Sequence, residues 1–416
     1  MVYFTIKMED KHCQYFVKRK KRYCRMTVKK NNQFCGEHQP NQNEIVQDLS
    51  KKRRIVCPLD SKHTCYENKL AKHLKVCNAK VKVDSLPAYI IKGINLGDID
   101  LKQPTHIRLS LIDSSIVNTV IDKINSAYVH LPKISEIILS HDVLTEELNN
   151  PTYGHGAKRH LLQTASLLGH LENSKLIQNN TCFIEFGAGK GKLTYWLAQV
   201  IKGQSESSLL LVDRSSHRHK KDNKLKNEDN PLNVKRIRVD IADLKLNKVE
   251  DIGENCSIVG VAKHLCGSAT DLTLRCLISA KEDDKSIRKI SGLIIAFCCH
   301  HRCEYSSYVG KKYLESCNFS ADEFPILCSI ASWATCGFEK NAKINNHEDT
   351  IEQQEKLEND LKTFKEREEM GRKVKMLLNW GRVEYLKNSG FNCQLIYYTS
   401  VDFSLENVCI IAKLCN

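Results

Sequence analysis

The sequence predicts an α/β protein whose main domain is a doubly wound, largely parallel sheet, preceded by two small cysteine- and histidine-rich modules. Three observations carry this. From Pro151 onward, apolar strand-like runs alternate with helical segments, the pattern of a parallel sheet with crossover helices. A glycine-rich turn, Phe183-Ile-Glu-Phe-Gly-Ala-Gly-Lys-Gly191, joins the first such strand to a helical run from Lys192 to Val200. Before Val83, cysteines and histidines recur at metal-ligand spacings in segments too short to bury a core of their own.

Residues 1–45 hold Cys13, Cys24, Cys35 and His38, spaced Cys-x10-Cys-x10-Cys-x2-His. Three thiolates and an imidazole suit a structural zinc ion, with His12 as an alternative to His38. Residues 54–81 hold Cys57, His63, His73 and Cys77, spaced Cys-x5-His-x9-His-x3-Cys. That donor set closes a tetrahedral site, and Glu67 to Lys75 between them reads as a short helix carrying His73. Cys65 is off the pattern and reads as a bystander. Two structural zinc ions are therefore expected.

These modules carry most of the charge. Residues 1–83 contain twenty Lys and Arg against seven Asp and Glu, a net +13, whereas the whole chain is +14. Lys18-Arg-Lys-Lys-Arg22 and Lys51-Lys-Arg-Arg54 are its densest runs. Interleaved with Tyr15, Phe16, Tyr23 and Phe34, such charge suits a polyanion with stackable bases, RNA in particular. Nuclear-localisation patches or plain solvated faces are the bland alternatives. The nineteen cysteines fit metal ligation and scattered core positions better than a disulfide scaffold. With no run long enough to cross a bilayer and no secretory profile at the N-terminus, an intracellular protein of nucleus or cytoplasm is expected.

Residues 84–150 lack a ligand cluster, and Leu109 to Tyr128 has helical apolar spacing, so a helical connector is expected there. The domain at 151–416 opens with a helix from His155 to Leu171. Strands are expected near Phe183–Phe186, Leu209–Asp213, Val234–Val239, Ser257–Ala262 and Gly292–Phe297. Cys393–Tyr398 and Val408–Leu414 should form an antiparallel edge. Residues 341–371 are mostly charged or amide side chains, with Ile351, Leu357, Leu361 and Phe364 as sparse apolar points, and read as a solvated helix or short coiled-coil insertion.

The glycine turn narrows the ligand. A phosphate-cradling loop needs a glycine five residues before Gly191-Lys192 and a hydroxyl after it; Phe186 and Leu193 stand there instead. Dinucleotide binding prefers a third glycine three residues after the second, and here the glycines alternate at Gly187, Gly189 and Gly191. Glu185 before them would repel a pyrophosphate and act through water on an amine-bearing ligand. Asp213, ending the second strand, suits a ribose diol, and Asp240, after the third, an adenine amine. S-adenosylmethionine meets these demands, so the domain reads as a Rossmann-like methyltransferase.

Methyl transfer to a hydroxyl needs a base for its proton. Lys263-His-Leu-Cys-Gly267, expected after the fourth strand, and Cys298-Cys-His-His-Arg-Cys303, after the fifth, fall where ligands bind such sheets. So does Tyr153-Gly-His-Gly-Ala-Lys-Arg-His160, ahead of the first strand. Lys158, Lys263, His264 and His300 are the candidate bases. The cluster Cys298, Cys299, His300, His301 and Cys303 would chelate one ion poorly at such short spacing, so a third metal site within it is disfavoured.

Taken together, Cys57/His63/His73/Cys77, Lys158-Arg-His160, the glycine turn, Lys263 to Gly267 with Asp271, and Cys298 to Cys303 resemble a known family. It is that of eukaryotic tRNA 2′-O-methyltransferases acting on the fourth nucleotide of the acceptor stem, with a CCCH-like and a CHHC zinc finger before the catalytic domain. The resemblance implies methyl transfer from S-adenosylmethionine to a tRNA ribose hydroxyl. A methyltransferase of proteins or other RNAs, and a non-enzymatic zinc-finger RNA-binding adaptor, are the rival readings.

Overall fold

The computed structural model describes residues 12–17, 22–24, 26, 28, 32–35, 53–77, 86–97, 104, 107–217, 220–226, 232–253, 256–282, 289–335 and 351–415. They fall in two compact units, Met1–Ser85 and Leu86–Asn416.

In the first unit, β1 (Phe16–Val17) and β2 (Arg22–Tyr23) form a minimal antiparallel ladder. Phe16 meets Tyr23 edge to face at 5.3 Å, a cross-strand aromatic pair that favours this register. Further along, β3 (Arg54–Cys57) and β4 (Asp60–Tyr66) make a hairpin, followed by a 3₁₀ turn and α1 (Leu70–Val76). No residue of α1 is buried, so this helix gains little from apolar packing and needs another source of folding energy.

The second unit begins with α2 (Ser114–Tyr128), capped by Asp113, whose carboxylate accepts from the Ser115 N–H at 2.8 Å. β5 (Ser135–Glu136), α3 (Thr145–Asn149) and α4 (His155–Asn173) follow. Then come β6 (Thr181–Phe186), α5 (Lys192–Val200), β7 (Ser208–Asp213) and β8 (Asn233–Arg238). β9 (Ser257–Cys266), α6 (Ser268–Lys281) and β10 (Lys289–Cys298) complete the parallel part. α7 (Lys311–Ser316), α8 (Phe324–Ala331), α9 (Ile351–Asn388), β11 (Phe391–Tyr397) and β12 (Val408–Leu414) end the unit.

The strands lie in the order β5-β11-β12-β10-β9-β6-β7-β8. β8, β7, β6, β9 and β10 are parallel, and β12 runs antiparallel to β10 and β11. The chain leaves β6 toward β7 and later returns to its other side with β9, so the topological switch point lies between β6 and β9. Every residue of β6 is buried, as expected of a central strand covered on both faces. Phe183 faces α4 and α5, packing with Leu168, Leu193 and Leu197. Ile184 and Phe186 face the other layer, with Leu272, Leu277 and Val383.

Three expectations are corrected. β9 and β10 each run ten residues, so Lys263 to Cys266 and Cys298 lie on strands rather than after them. Residues 86–150 are no separate connector. α2 packs Val120 and Ile124 with Leu327, Val374 and Leu378, and β5 joins the sheet beside β11. Finally, residues 336–350 lie outside the described residues, and 351–371 begin a helix that continues to Asn388. Its later half buries Val374, Leu377, Leu378, Val383 and Leu386, where apolar periodicity takes over from charge.

Candidate active site and metal modules

The glycine turn stands at the carboxyl end of β6, next to the switch point, where doubly wound sheets bind ligands. Gly187, Gly189 and Gly191 have φ of 66°, 52° and 66°, a region costly for residues with a Cβ. A Cβ on Gly191 would lie 2.6 Å from Asp222 Oδ1, so only glycine fits against that carboxylate. At Gly189 the nearest atom would be 3.9 Å away; here the backbone is left open to a ligand.

An ion pair that local sequence does not announce, and a carboxylate bonded to the backbone, hold the turn. Arg236 on β8 grips Asp222 through Nε and Nη2 at 3.1 and 2.9 Å, and donates through Nη1 to the Gly189 carbonyl at 3.1 Å. Asp213 Oδ2 accepts from the Gly189 N–H at 2.7 Å, and Oδ1 from the Ser215 N–H at 2.7 Å. His217 Nε2 also lies 3.3 Å from Oδ2; a carboxylate offers about four lone-pair sites, so Asp213 keeps acceptor capacity for a diol on Oδ1 while fixing the turn. Asp240 Oδ1 accepts from Ala242 N at 3.1 Å. Its neighbour Asp243 is engaged by the Gly93 N–H and by Lys92, leaving Asp240 as the available acid beyond β8.

Glu185 departs from expectation. It is buried, and its Oε2 accepts from the N–H and hydroxyl of Thr194 in the first turn of α5. The carboxylate ties β6 to that helix instead of facing an amine. Burial pushes its pKa up to about 7, against the lowering effect of the Thr194 bonds.

Lys263 is the most altered base in the cleft. Its Nζ donates to the His160 carbonyl at 2.8 Å and to Thr164 Oγ1 at 3.1 Å. Burial, then the charge of Lys192, brings its pKa down to about 7. His264 follows in the left-handed region, at φ 63°, with its ring 6.1 Å from and perpendicular to that of His160. The surrounding protein, then the Lys263 charge, lowers its pKa to about 4. Lys158 lies half-buried in the first turn of α4, in the same helix as His160.

His300 is corrected as a base candidate. It is buried, its Nε2 sits 2.7 Å from Asn379 Oδ1, and burial holds it well below the usual histidine range. Asn379 also accepts from Arg382, which forms a two-pronged pair with Asp271. Cys303 Sγ, 3.1 Å from Arg382 Nη2, joins the same network. His300 is thus a wall of the core.

In the first unit, Cys57, His63, His73 and Cys77 converge within 4.8 Å of one another. Their sulfurs are 3.7 Å apart and the two Nε2 atoms 3.1 Å apart, spacings that a single tetrahedral zinc would span. Cys65 is not in the group. Cys13, Cys24 and Cys35 converge in the same way. His38 lies outside the described residues, and His12 is exposed and not among the converging ligands.

Strand order, glycine turn and acid positions define the class: an S-adenosylmethionine-dependent methyltransferase domain, here accompanied by zinc fingers. Residues 162–413 match the family model described as Methyltransferase TRM13. Residues 11–39 match a CCCH zinc finger in TRM13 protein, and residues 54–78 a U11-48K-like CHHC zinc finger. The chain belongs to the TRM13 methyltransferase family. It is similar to the tRNA:m(4)X modification enzyme TRM13 homolog of Mus musculus, 36% identical over 97% of this chain and 94% of the relative. To the tRNA:m(4)X modification enzyme TRM13 of Saccharomyces cerevisiae it is 30% identical, over 90% and 87%. An SAH-bound Podospora anserina methyltransferase covers 73% of this chain and 97% of its own at a TM-score of 0.33 and 10% identity. A likeness at that score carries no weight beside the strand order.

Proposed function

We propose that this chain methylates a ribose 2′-hydroxyl of tRNA, at the fourth nucleotide of the acceptor stem. S-adenosylmethionine supplies an electrophilic methyl group on a sulfonium. The turn from Gly187 to Gly191 would admit its backbone-facing edge, Asp213 its ribose and Asp240 its adenine amine. That methyl group would pass to the hydroxyl oxygen with the sulfonium sulfur as leaving group, and an acceptor would be needed for the hydroxyl proton. Lys263 is the group that receives it: a lysine brought to about 7 is substantially a free amine at neutral pH. Its bonds to His160 and Thr164 fix the amine in place.

That perturbed lysine at the carboxyl end of β9 is the observation that carries the ribose reading. A hydroxyl must lose its proton on methylation, so it needs a base, whereas an unprotonated ring nitrogen such as that of adenine N1 or guanine N7 has no proton to give up. The tRNA reading rests on the relatives' name and on the basic zinc modules, since an A-form stem is gripped through phosphates and shape. The deciding experiment incubates the purified chain with methyl-labelled S-adenosylmethionine and unmodified tRNA, then digests with nuclease. Label in an alkali-resistant dinucleotide from the acceptor stem is expected. Label on a base would overturn the chemistry.

A further inference from the structure

Three cysteines close on one point at the carboxyl ends of β9 and β10. Cys266 Sγ stands 3.1 Å from Cys298 Sγ and 3.5 Å from Cys299 Sγ, and all three sulfurs lie within 4.8 Å of one another. The CHHC module sets the scale, with 3.7 Å between its sulfurs and 3.1 Å between Cys57 Sγ and His73 Nε2. Both sulfur pairs of the thiol cluster lie closer than the CHHC sulfur pair, and both groups gather within the same 4.8 Å.

Two backbone irregularities produce it. Ala296 pairs with Lys263, but the next pairs are Phe297 with Leu265 and Cys298 with Cys266. The skipped residue is His264, at φ 63°. Without this bulge Cys298 would stand opposite Leu265; with it, Cys266 and Cys298 are level and leave the same face of the sheet. Cys299 then takes φ 42° and turns its thiol back to the same point. Non-glycine residues seldom adopt such angles, and they persist where the surroundings require them.

We propose that Cys266, Cys298 and Cys299 bind a third zinc ion, as three thiolates with the fourth position open. Three converging sulfurs match a soft divalent cation; a disulfide would engage two and leave the third without a purpose. Cys266 is exposed and Cys299 half-exposed, so the fourth position faces solvent, free for water or a substrate group. Within the Cys298–Cys303 run, His300 is directed to Asn379 and Cys303 to Arg382. Sequence spacing hides the site because Cys266 is 32 residues from Cys298. The ion ties two strand ends immediately beyond Lys263 and holds the bulge that aims it.

The test is the zinc content of the full-length chain purified under reducing conditions, independent of methyl transfer. Cys266→Ser should hold one zinc fewer per chain than the parent, and Cys415→Ser, at another exposed cysteine, the same number as the parent. Equal zinc in Cys266→Ser and parent would overturn the site, as would an intact mass showing a disulfide at Cys266. A second measurement needs no variant. In the folded parent, Cys266, Cys298 and Cys299 should resist alkylation until a chelator is added; labelling that is indifferent to the chelator would sink the proposal.

Discussion

Arg382 and Asp271, 111 residues apart in sequence, meet in a two-pronged pair at 3.1 and 2.8 Å, with side chains 1% and 0% exposed. The pair joins α9 to the first turn of α6, the helix that follows β9. A charge buried this deeply is tolerated only with its partner.

Asp271→Asn should therefore destabilise the catalytic unit by about 3–5 kcal/mol, the cost of leaving Arg382 without its counter-charge. Joint replacement by Asp271→Leu and Arg382→Met should recover much of that loss. Urea titration of parent, single and double variants measures it; a single variant as stable as the parent would mean that the pair contributes little.

Lys263 sets a pH profile. Its folded pKa is lowered to about 7, so the amine is protonated below that value and free above it. Methyl transfer should fall roughly tenfold per pH unit below 7 and level off above. Lys263→Met should lose at least about a hundredfold in kcat and flatten the profile. A profile unchanged in Lys263→Met would assign the proton to another group.

His300→Asn tests the correction made to that residue. A wall residue should cost stability, seen as a lower Tm, while kcat under conditions where the chain is folded stays near the parent's. Loss comparable to that of Lys263→Met at full stability would restore His300 as a catalytic group.

Glu185 has its folded pKa raised to about 7, above the ordinary 4.5. Between these values the folded chain binds more protons than the unfolded one, so stability should decline as pH rises from 4.5 to 7. Glu185→Gln should remove this decline, worth on the order of 3 kcal/mol across the interval. Thermal melts at pH 5 and pH 8 read it out. An equal slope in parent and variant would show that the carboxylate stays ionised.

Removing residues 1–83 should weaken tRNA binding and its salt dependence while S-adenosylmethionine binding persists. Chelation of the full chain should act in the same direction, because the CHHC segment has no buried helix face of its own. Filter binding at two salt concentrations, beside calorimetry with the cofactor, separates the two effects. Unchanged tRNA affinity in the shortened chain would remove the fingers from recognition.

What was legible in the sequence is what local chemistry dictates. Alternating glycines, Asp213 ending an apolar run, and Cys57, His63, His73 and Cys77 each announce their geometry within a few residues of themselves. Strand positions from β6 to β12 were legible for the same reason. What remained hidden depends on pairing across the fold. Asp222 and Arg236 look like ordinary charges until the glycine turn is placed between them, and Arg382 sits in a helix whose start is mostly polar. Glu185, an acid just ahead of the glycine turn, reads in sequence as a group for an amine-bearing ligand; that Thr194 of α5 binds its carboxylate shows only in the fold. The bulge at His264 breaks the same alternation and sends Cys266 to a face that counting would deny it.

The place of β12 in the sheet has a consequence for biogenesis. It lies between β10 and β11, yet it follows both in the chain, so the sheet closes by insertion and not by growth at an edge. During synthesis the apolar edge of β10, from Gly292 to Ala296, waits unpaired until residues 408–414 emerge. Such an edge invites association with other chains. Loss of those seven residues would not trim a border; it would part β11 and β5 from the strands that hold the site.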